Sequence, residues 1–206
     1  MNSTDAESSS AHWSPMIERA LRIAATHHRP QSRKGSDIPY ITHPFGVAML
    51  LMRFGFDDDE IIAAALLHDA VEDTECTLDE LAAACPPGVV EFVAALTEKK
   101  YDDQNVMRPW KDRKLEHLEQ VESAPLAARA IVLADKLHNL STMLFDMEAG
   151  EDMWSRFRAG REEVEWYHRT MISTAWQSDE PLRPLAEACV EMLDKVLAAT
   201  ETSTQD

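Results

Sequence analysis

The sequence predicts an all-α protein, a helical bundle with no significant sheet. Three observations lead there. Gly is only 6 and Pro 10 of 206 residues, too few for the turns that a sandwich or barrel consumes. Ala, Leu and Glu, which are strong helix formers, dominate instead. Helix-start signals recur along the chain, each followed by apolar residues at helical spacing. The length suits one domain and would cramp two. The 45% hydrophobic content excludes wholesale disorder.

Ser/Thr/Asp-rich ends, 1–12 and 200–206, are expected to be flexible tails around a single domain over 13–199. Ser14 caps a helix with Pro15 at its first position, running to about His28. Pro30, Gly35 and Pro39 make Arg29 to Thr42 a loop, and His43-Pro44 opens a helix to about Phe54. Asp57 with Glu60 forms a capping box for a helix that is apolar on nearly every side, Ile61 to Leu67, and so central and buried. It runs straight into His68-Asp69. Glu72-Asp73 fall in the loop beyond. Thr77 with Glu80 caps a short helix that Pro86-Pro87-Gly88 ends, and Val89 to about Thr97 forms the next. Glu98 to Arg108 reads as a loop, Trp110 to about Val121 as an amphipathic helix, and Pro125 starts a long helix through Leu140. Glu151–Gly160, Arg161–Trp176 and Pro184–Ala198 complete roughly nine or ten helices.

Lys plus Arg number 20 against 37 Asp plus Glu, a net charge of -17. Such a surface repels nucleic-acid phosphates and anionic lipid, which excludes both as partners. A small anionic substrate remains compatible if a metal or local basic residues reverse the field in one cleft. The three cysteines, Cys76, Cys85 and Cys189, show no CxxC spacing and read as reduced, partly buried thiols. The N-terminus lacks the basic start and apolar stretch of a secretory signal, and no apolar run approaches a membrane span. A cytoplasmic protein is expected, with homo-oligomerisation left open.

Four elements can carry chemistry. His68-Asp69 closes an apolar helix, where an unpaired carboxylate would cost several kcal/mol and a divalent cation would satisfy both side chains. Asp135 lies on an aliphatic helix with Asn139 one turn on and Thr142 beyond, a polar stripe suited to ligands. His43 follows the basic loop Arg33-Lys34, and Glu72-Asp73 could orient or deprotonate a water near a metal. Together His43, His68, Asp69 and Asp135 form a mixed nitrogen/oxygen set for one ion that suits Mn²⁺, Fe²⁺ or Zn²⁺ better than Ca²⁺.

The order H…HD…D resembles the HD superfamily of metal-dependent phosphohydrolases. The likeness extends to Arg33-Lys34 with Pro39-Tyr40-Ile41-Thr42-His43-Pro44, to Ala64 through Thr74, to Leu133 through Leu140 and to Trp154 through Tyr167. These segments resemble the stand-alone Rel/SpoT-type alarmone hydrolases over about residues 14–197. The resemblance implies an HD-domain bundle that removes the 3′-pyrophosphate from (p)ppGpp-type nucleotides with Mn²⁺, a metal-activated water being the nucleophile. It implies His43, His68, Asp69 and Asp135 as ligands and Glu72 and Asp73 as the catalytic pair. It implies Arg33, Lys34, Asn139, Thr142 and Lys99 as substrate contacts. Arg33, Lys34, Lys99, Arg113 and Lys114 would offset the acidic bulk in the cleft. Trp110, Trp154, Trp166 and Tyr167 read as core rather than as a stacking platform. Ser141 stands where the family often has Arg, so guanine or adenine preference stays open. The competing readings are an HD nucleotidase or phosphodiesterase on another nucleotide, adenine alarmones included, and a non-catalytic, antitoxin-like metal-binding partner. The intact Glu72-Asp73 pair argues against the last.

Overall fold

A computed structural model of the chain describes residues 14–154 and 159–202. Its helices are α1 (Pro15–His27), α2 (Thr42–Arg53), α3 (Asp59–Leu67), α4 (Ala70–Asp73), α5 (Leu78–Ala84), α6 (Pro87–Leu96), α7 (Trp110–Glu122), α8 (Leu126–Glu148), α9 (Arg161–Trp176) and α10 (Arg183–Thr202). Among the described residues there is no strand. Two isolated antiparallel bridges, Ser32 with Pro39 and Tyr101 with Met107, pin the long loops before α2 and α7. The fold is all-α, as the composition requires.

Caps start the helices where side-chain oxygens reach free N–H groups. Ser14 accepts from Ile17 N and Thr77 from Glu80 N. The cap of α3 is Asp58, which accepts from Glu60 N, one residue later than the expected Asp57. Pro86 and Pro87 lie at the cap and first position of α6, so they start that helix as well as following α5.

Two helices, the short α3 and the long α8, organise the core. α3 is buried from Ile62 to Leu67 and packs against α1, α2, α6 and α8. α8 packs against α2, α3, α6, α9 and α10, with Ile131, Leu133 and Leu140 fully buried. Each such aliphatic side chain contributes about 1.5–3 kcal/mol of hydrophobic stabilisation. His68-Asp69 at the end of α3 and Asp135 in the middle of α8 are therefore carried on the two most enclosed elements of the bundle.

Three expectations change. Glu72 and Asp73 lie on the one-turn helix α4, closed by Asp73 N donating to Asp69 O at 2.9 Å, and not in a loop. α10 runs past Ala198 to Thr202, so residues 200–202 are helical; Thr200 Oγ1 accepts from Trp154 Nε1 at 2.9 Å. Glu151, Asp152 and Met153 are not helical, and the rest of the expected Glu151–Gly160 helix falls partly on residues 155–158, outside the described residues. Arg156 and Phe157 of the resemblance segment lie there as well, as do the expected tail residues 1–12 and 203–206. No described helix is long and apolar enough to cross a membrane.

Candidate active site

α2, α3 and α8 converge on one small cavity of about 180 Å³, lined by His43, His68, Asp69, Glu72, Asp73 and Asp135 among others. His43 Nε2 lies 3.1 Å from Asp135 Oδ1 and 3.5 Å from Asp69 Oδ2. His68 Nε2 lies 3.1 Å from Asp69 Oδ2 and 3.9 Å from Asp135 Oδ1. The donor atoms of His43, His68 and Asp69 all fall within 4.8 Å of one another. Two imidazoles and the Asp69 carboxylate, from α2 and the junction of α3 with α4, thus cluster, and Asp135 of α8 places its Oδ1 beside both histidine nitrogens.

The tautomers suit ligation. His68 Nδ1 donates to the Ala65 carbonyl at 2.7 Å, which leaves the Nε2 lone pair facing the carboxylates. That Nε2 is buried and makes no well-directed hydrogen bond. His43 Nδ1 lies 3.0 Å from His138 Nδ1. Burial pushes the His138 pKa down to about 4, so the ring is neutral and its Nδ1 can accept the His43 Nδ1 proton, the tautomer that frees His43 Nε2 for a metal. The charges agree. Burial alone would lower the His68 pKa, but without an ion the Asp69 charge overrides it and lifts the value to about 9, so an ion bound at Nε2 would take the place of that proton. Burial opposes ionisation of Asp69 and Asp135, yet the His68 charge, and Lys136 with His43, hold them below the usual carboxylate range. Asp69 and Asp135 supply two negative charges to a divalent ion, which would displace the His68 proton, while Lys136 stays paired with Asp135 Oδ2. The donor set therefore fits a single divalent ion.

The carboxylate pair stands beside this cluster. The Tyr40 hydroxyl donates to Asp69 Oδ2 at 2.7 Å and lies 3.3 Å from Asp73 Oδ2. Lys100 pairs with Glu72 Oε1 at 3.0 Å and with Asp73 Oδ1. Glu72 Oε2 also accepts the Glu98 N–H at 3.0 Å. Burial raises the Glu72 pKa against the opposing Lys100 charge.

Across a shared wall of Tyr40, Lys114, Lys136, Asn139 and Tyr167 lies a larger cavity of about 680 Å³. Arg33, Lys34, Asn139 and Thr142 all line it. Arg33 donates to Asn139 Oδ1 at 2.9 Å and Thr142 Oγ1 at 3.3 Å, and Asn139 Nδ2 donates to Asp135 Oδ1 at 2.6 Å. One hydrogen-bonded chain thereby links the outer basic residue to Asp135.

Lys99 is placed elsewhere. Its side chain is 59% exposed, pairs with Asp103 at 3.1 Å and lines neither cavity; the next residue, Lys100, turns inward instead. Arg113 is taken up by the buried Glu98, while Lys114 pairs with Glu98 and also lines both cavities. Trp110 and Tyr167, read as core, also form part of the larger cavity's wall. Tyr40, Lys100, Lys136 and His138 are site residues that the sequence reading missed. Tyr40 sits inside the segment Pro39 to Pro44, and Lys136 and His138 inside Leu133 to Leu140, so a polar residue within a motif was the available signal.

A bundle that buries a histidine–aspartate cation pocket beside a basic cleft defines the class of all-α proteins with an internal divalent-metal centre. The comparisons make it particular: the HD domain family matches residues 20–163, and this chain belongs to that family. It is 37% identical over 173 residues to guanosine-3′,5′-bis(diphosphate) 3′-pyrophosphohydrolase MESH1 of Mus musculus, covering 82% of this chain and 91% of that protein. It is 39% identical over 149 residues to the Homo sapiens protein of the same name, covering 71% and 78%. The fold matches, with TM-score 0.73 and 24% identity, a solved structure described as a metazoan orthologue of SpoT that hydrolyses ppGpp, over 90% of this chain and 98% of that one.

Proposed function

We propose that this protein is a cytoplasmic, Mn²⁺-dependent hydrolase that removes the 3′-pyrophosphate from (p)ppGpp-type nucleotides. One observation carries the reading. The His43, His68, Asp69 and Asp135 donors and the Glu72–Asp73 pair share one 180 Å³ pocket, which adjoins a cleft of nucleotide size bearing Arg33 and Lys34. The relatives' names supply the substrate.

His43, His68, Asp69 and Asp135 would hold the ion, which when bound neutralises developing phosphate charge and lowers the pKa of water. Asp73 accepts a proton from the attacking water, held in place by Lys100 and Tyr40. Attack at the phosphorus next to the ribose breaks the bond to the 3′-oxygen and frees pyrophosphate. Glu72, fixed by Lys100 and the Glu98 N–H, orients the same water, and a proton from solvent neutralises the departing 3′-oxygen. Arg33 and Lys34 grip phosphate at the cleft mouth, and the neutralised carboxylates keep the acidic bulk from repelling it.

The test is a panel of ppGpp, pppGpp, their adenine counterparts and 5′-mononucleotides, incubated with Mn²⁺ and resolved by ion exchange. Pyrophosphate release from the guanine alarmones is expected, abolished by EDTA and restored by Mn²⁺. Cleavage of adenine alarmones alone, or of mononucleotides, would replace the substrate assignment. Activity that persists in excess EDTA after dialysis would remove the metal.

A further inference from the structure

A second set of metal-type donors lies outside both cavities, where α1, the turn after α4 and the start of α5 meet. His27 is the last residue of α1, Cys76 stands in the turn, and Glu80 is in the first turn of α5. One ligand atom from each, an imidazole nitrogen, Sγ and a carboxylate oxygen, all lie within 4.8 Å of one another. His27 Nε2 is already 3.0 Å from Glu80 Oε1. Cys76 closes the inner side at 3% exposure, whereas the His27 and Glu80 side chains are 20% and 50% exposed and leave an approach from solvent.

We infer that His27, Cys76 and Glu80 form a zinc site, with water in the fourth position. A thiolate, an imidazole and a carboxylate are the donor types that Zn²⁺ combines, and three protein ligands with one water is a familiar tetrahedral arrangement. The set is selective in kind: a sulfur ligand disfavours the hard cations Mn²⁺, Mg²⁺ and Ca²⁺. Charge closes as well, since thiolate and carboxylate together neutralise a divalent ion. On binding, the Cys76 S–H bond breaks, its proton leaves to solvent and an S–Zn bond forms; no oxidant is involved.

The three ligands come from three segments, so the ion would tie them together. One of those segments begins just after Asp73, and the Asp73 carbonyl is itself held by the Gln31 side chain from the loop that leaves α1. Zinc would thus brace the frame under the carboxylate pair. The inference is independent of the substrate reading.

Co²⁺ provides the decisive probe, because the catalytic donor set contains no sulfur. A thiolate-to-cobalt charge-transfer band in the near ultraviolet can therefore come only from a cysteine site. The whole chain, reduced with a phosphine, is titrated with Co²⁺ and then with Zn²⁺. A charge-transfer band that grows to saturation and is bleached by Zn²⁺ is expected. Cys76→Ser should abolish it, Cys85→Ser should keep it, and the surface variants His27→Gln and Glu80→Gln should each weaken it. Absence of the band in the wild-type protein, or its persistence in Cys76→Ser, overturns the site. Loss in Cys85→Ser, or no change in His27→Gln and Glu80→Gln, overturns the ligand set. The two surface variants keep the test decisive should Cys76→Ser fail to fold.

Discussion

Replacing Gly46 with alanine would show how firmly the His43 imidazole is held. Gly46 lies in α2 nearly one turn beyond His43, and a Cβ there would sit 2.1 Å from His138 Nε2 and 2.3 Å from His138 Cδ2. The His138 ring must then retreat by roughly 1 Å, a displacement that can cost about 10²-fold when it reaches catalytic groups. It carries with it the Nδ1 that accepts from His43 at 3.0 Å. Two effects oppose each other. Alanine in a helix interior gains about 0.5–1 kcal/mol over glycine. Losing an outer partner of a metal-ligating histidine costs about 10–100-fold in metal affinity or activity, roughly 1.4–2.7 kcal/mol. The first acts on the whole fold and the second on the site, so they separate experimentally. Because His138 lines the larger cavity, the ring has room to swing, and the thermal midpoint should hold or rise. Mn²⁺ affinity by calorimetry and kcat should fall by about 10–100-fold. In a His138→Ala background the same change should cost nothing further, since the partner is already gone. Wild-type metal affinity and turnover in Gly46→Ala would refute the claim that His138 orients His43. An additive tenfold loss in the double variant would refute it equally.

Asp73→Asn keeps the shape of the side chain but cannot accept a proton. It should lower kcat by about 10²–10⁴-fold with Mn²⁺ content and thermal midpoint unchanged; lost turnover accompanied by lost metal would assign Asp73 to ligation instead. Arg33→Ala should chiefly raise KM, because a phosphate grip acts on ground and transition states alike, and a kcat loss at constant KM would contradict that role. His168 is buried with its pKa pushed down to about 3 by burial and then by the Lys136 charge. Below an unfolded value near 6.5 the unfolded chain takes a proton that the folded chain refuses, so stability falls as pH drops through that value. Urea unfolding at pH 7.5 and 5.5, conditions set about one unit either side of 6.5, should show a smaller loss, by about 1 kcal/mol, in His168→Gln than in wild type. An identical pH dependence in both would sink the argument.

The residues themselves show which properties are local. Ser14 and Thr77 act across three residues, so their roles can be read from neighbouring letters. The all-apolar run Ile61–Leu67 has to be buried wherever it goes, and a histidine and aspartate at its end have to meet a partner there. Asp57 and Asp58 mark the limit of that reading. Adjacent carboxylates are equal candidates for a cap, and only the backbone turn selects Asp58, whose φ and ψ are extended while Asp59 is already helical. The one-turn α4 escapes for a related reason: four residues carry too little periodicity to register as a helix.

Sequence alone determined the helical class, most helix starts, and the residue types able to hold a divalent ion, because each rests on composition, nearby hydrogen bonding or donor chemistry. Tertiary structure decided which of those donors converge and what steadies them. His43 and His138 are 95 residues apart, and Arg33 and Asn139 are 106 apart, so no local spacing could pair them. Lys99 and Lys100 are alike in type and adjacent in the chain. The bridged loop that follows them turns one to solvent and the other onto Glu72 and Asp73, a choice made by backbone direction rather than by side-chain chemistry.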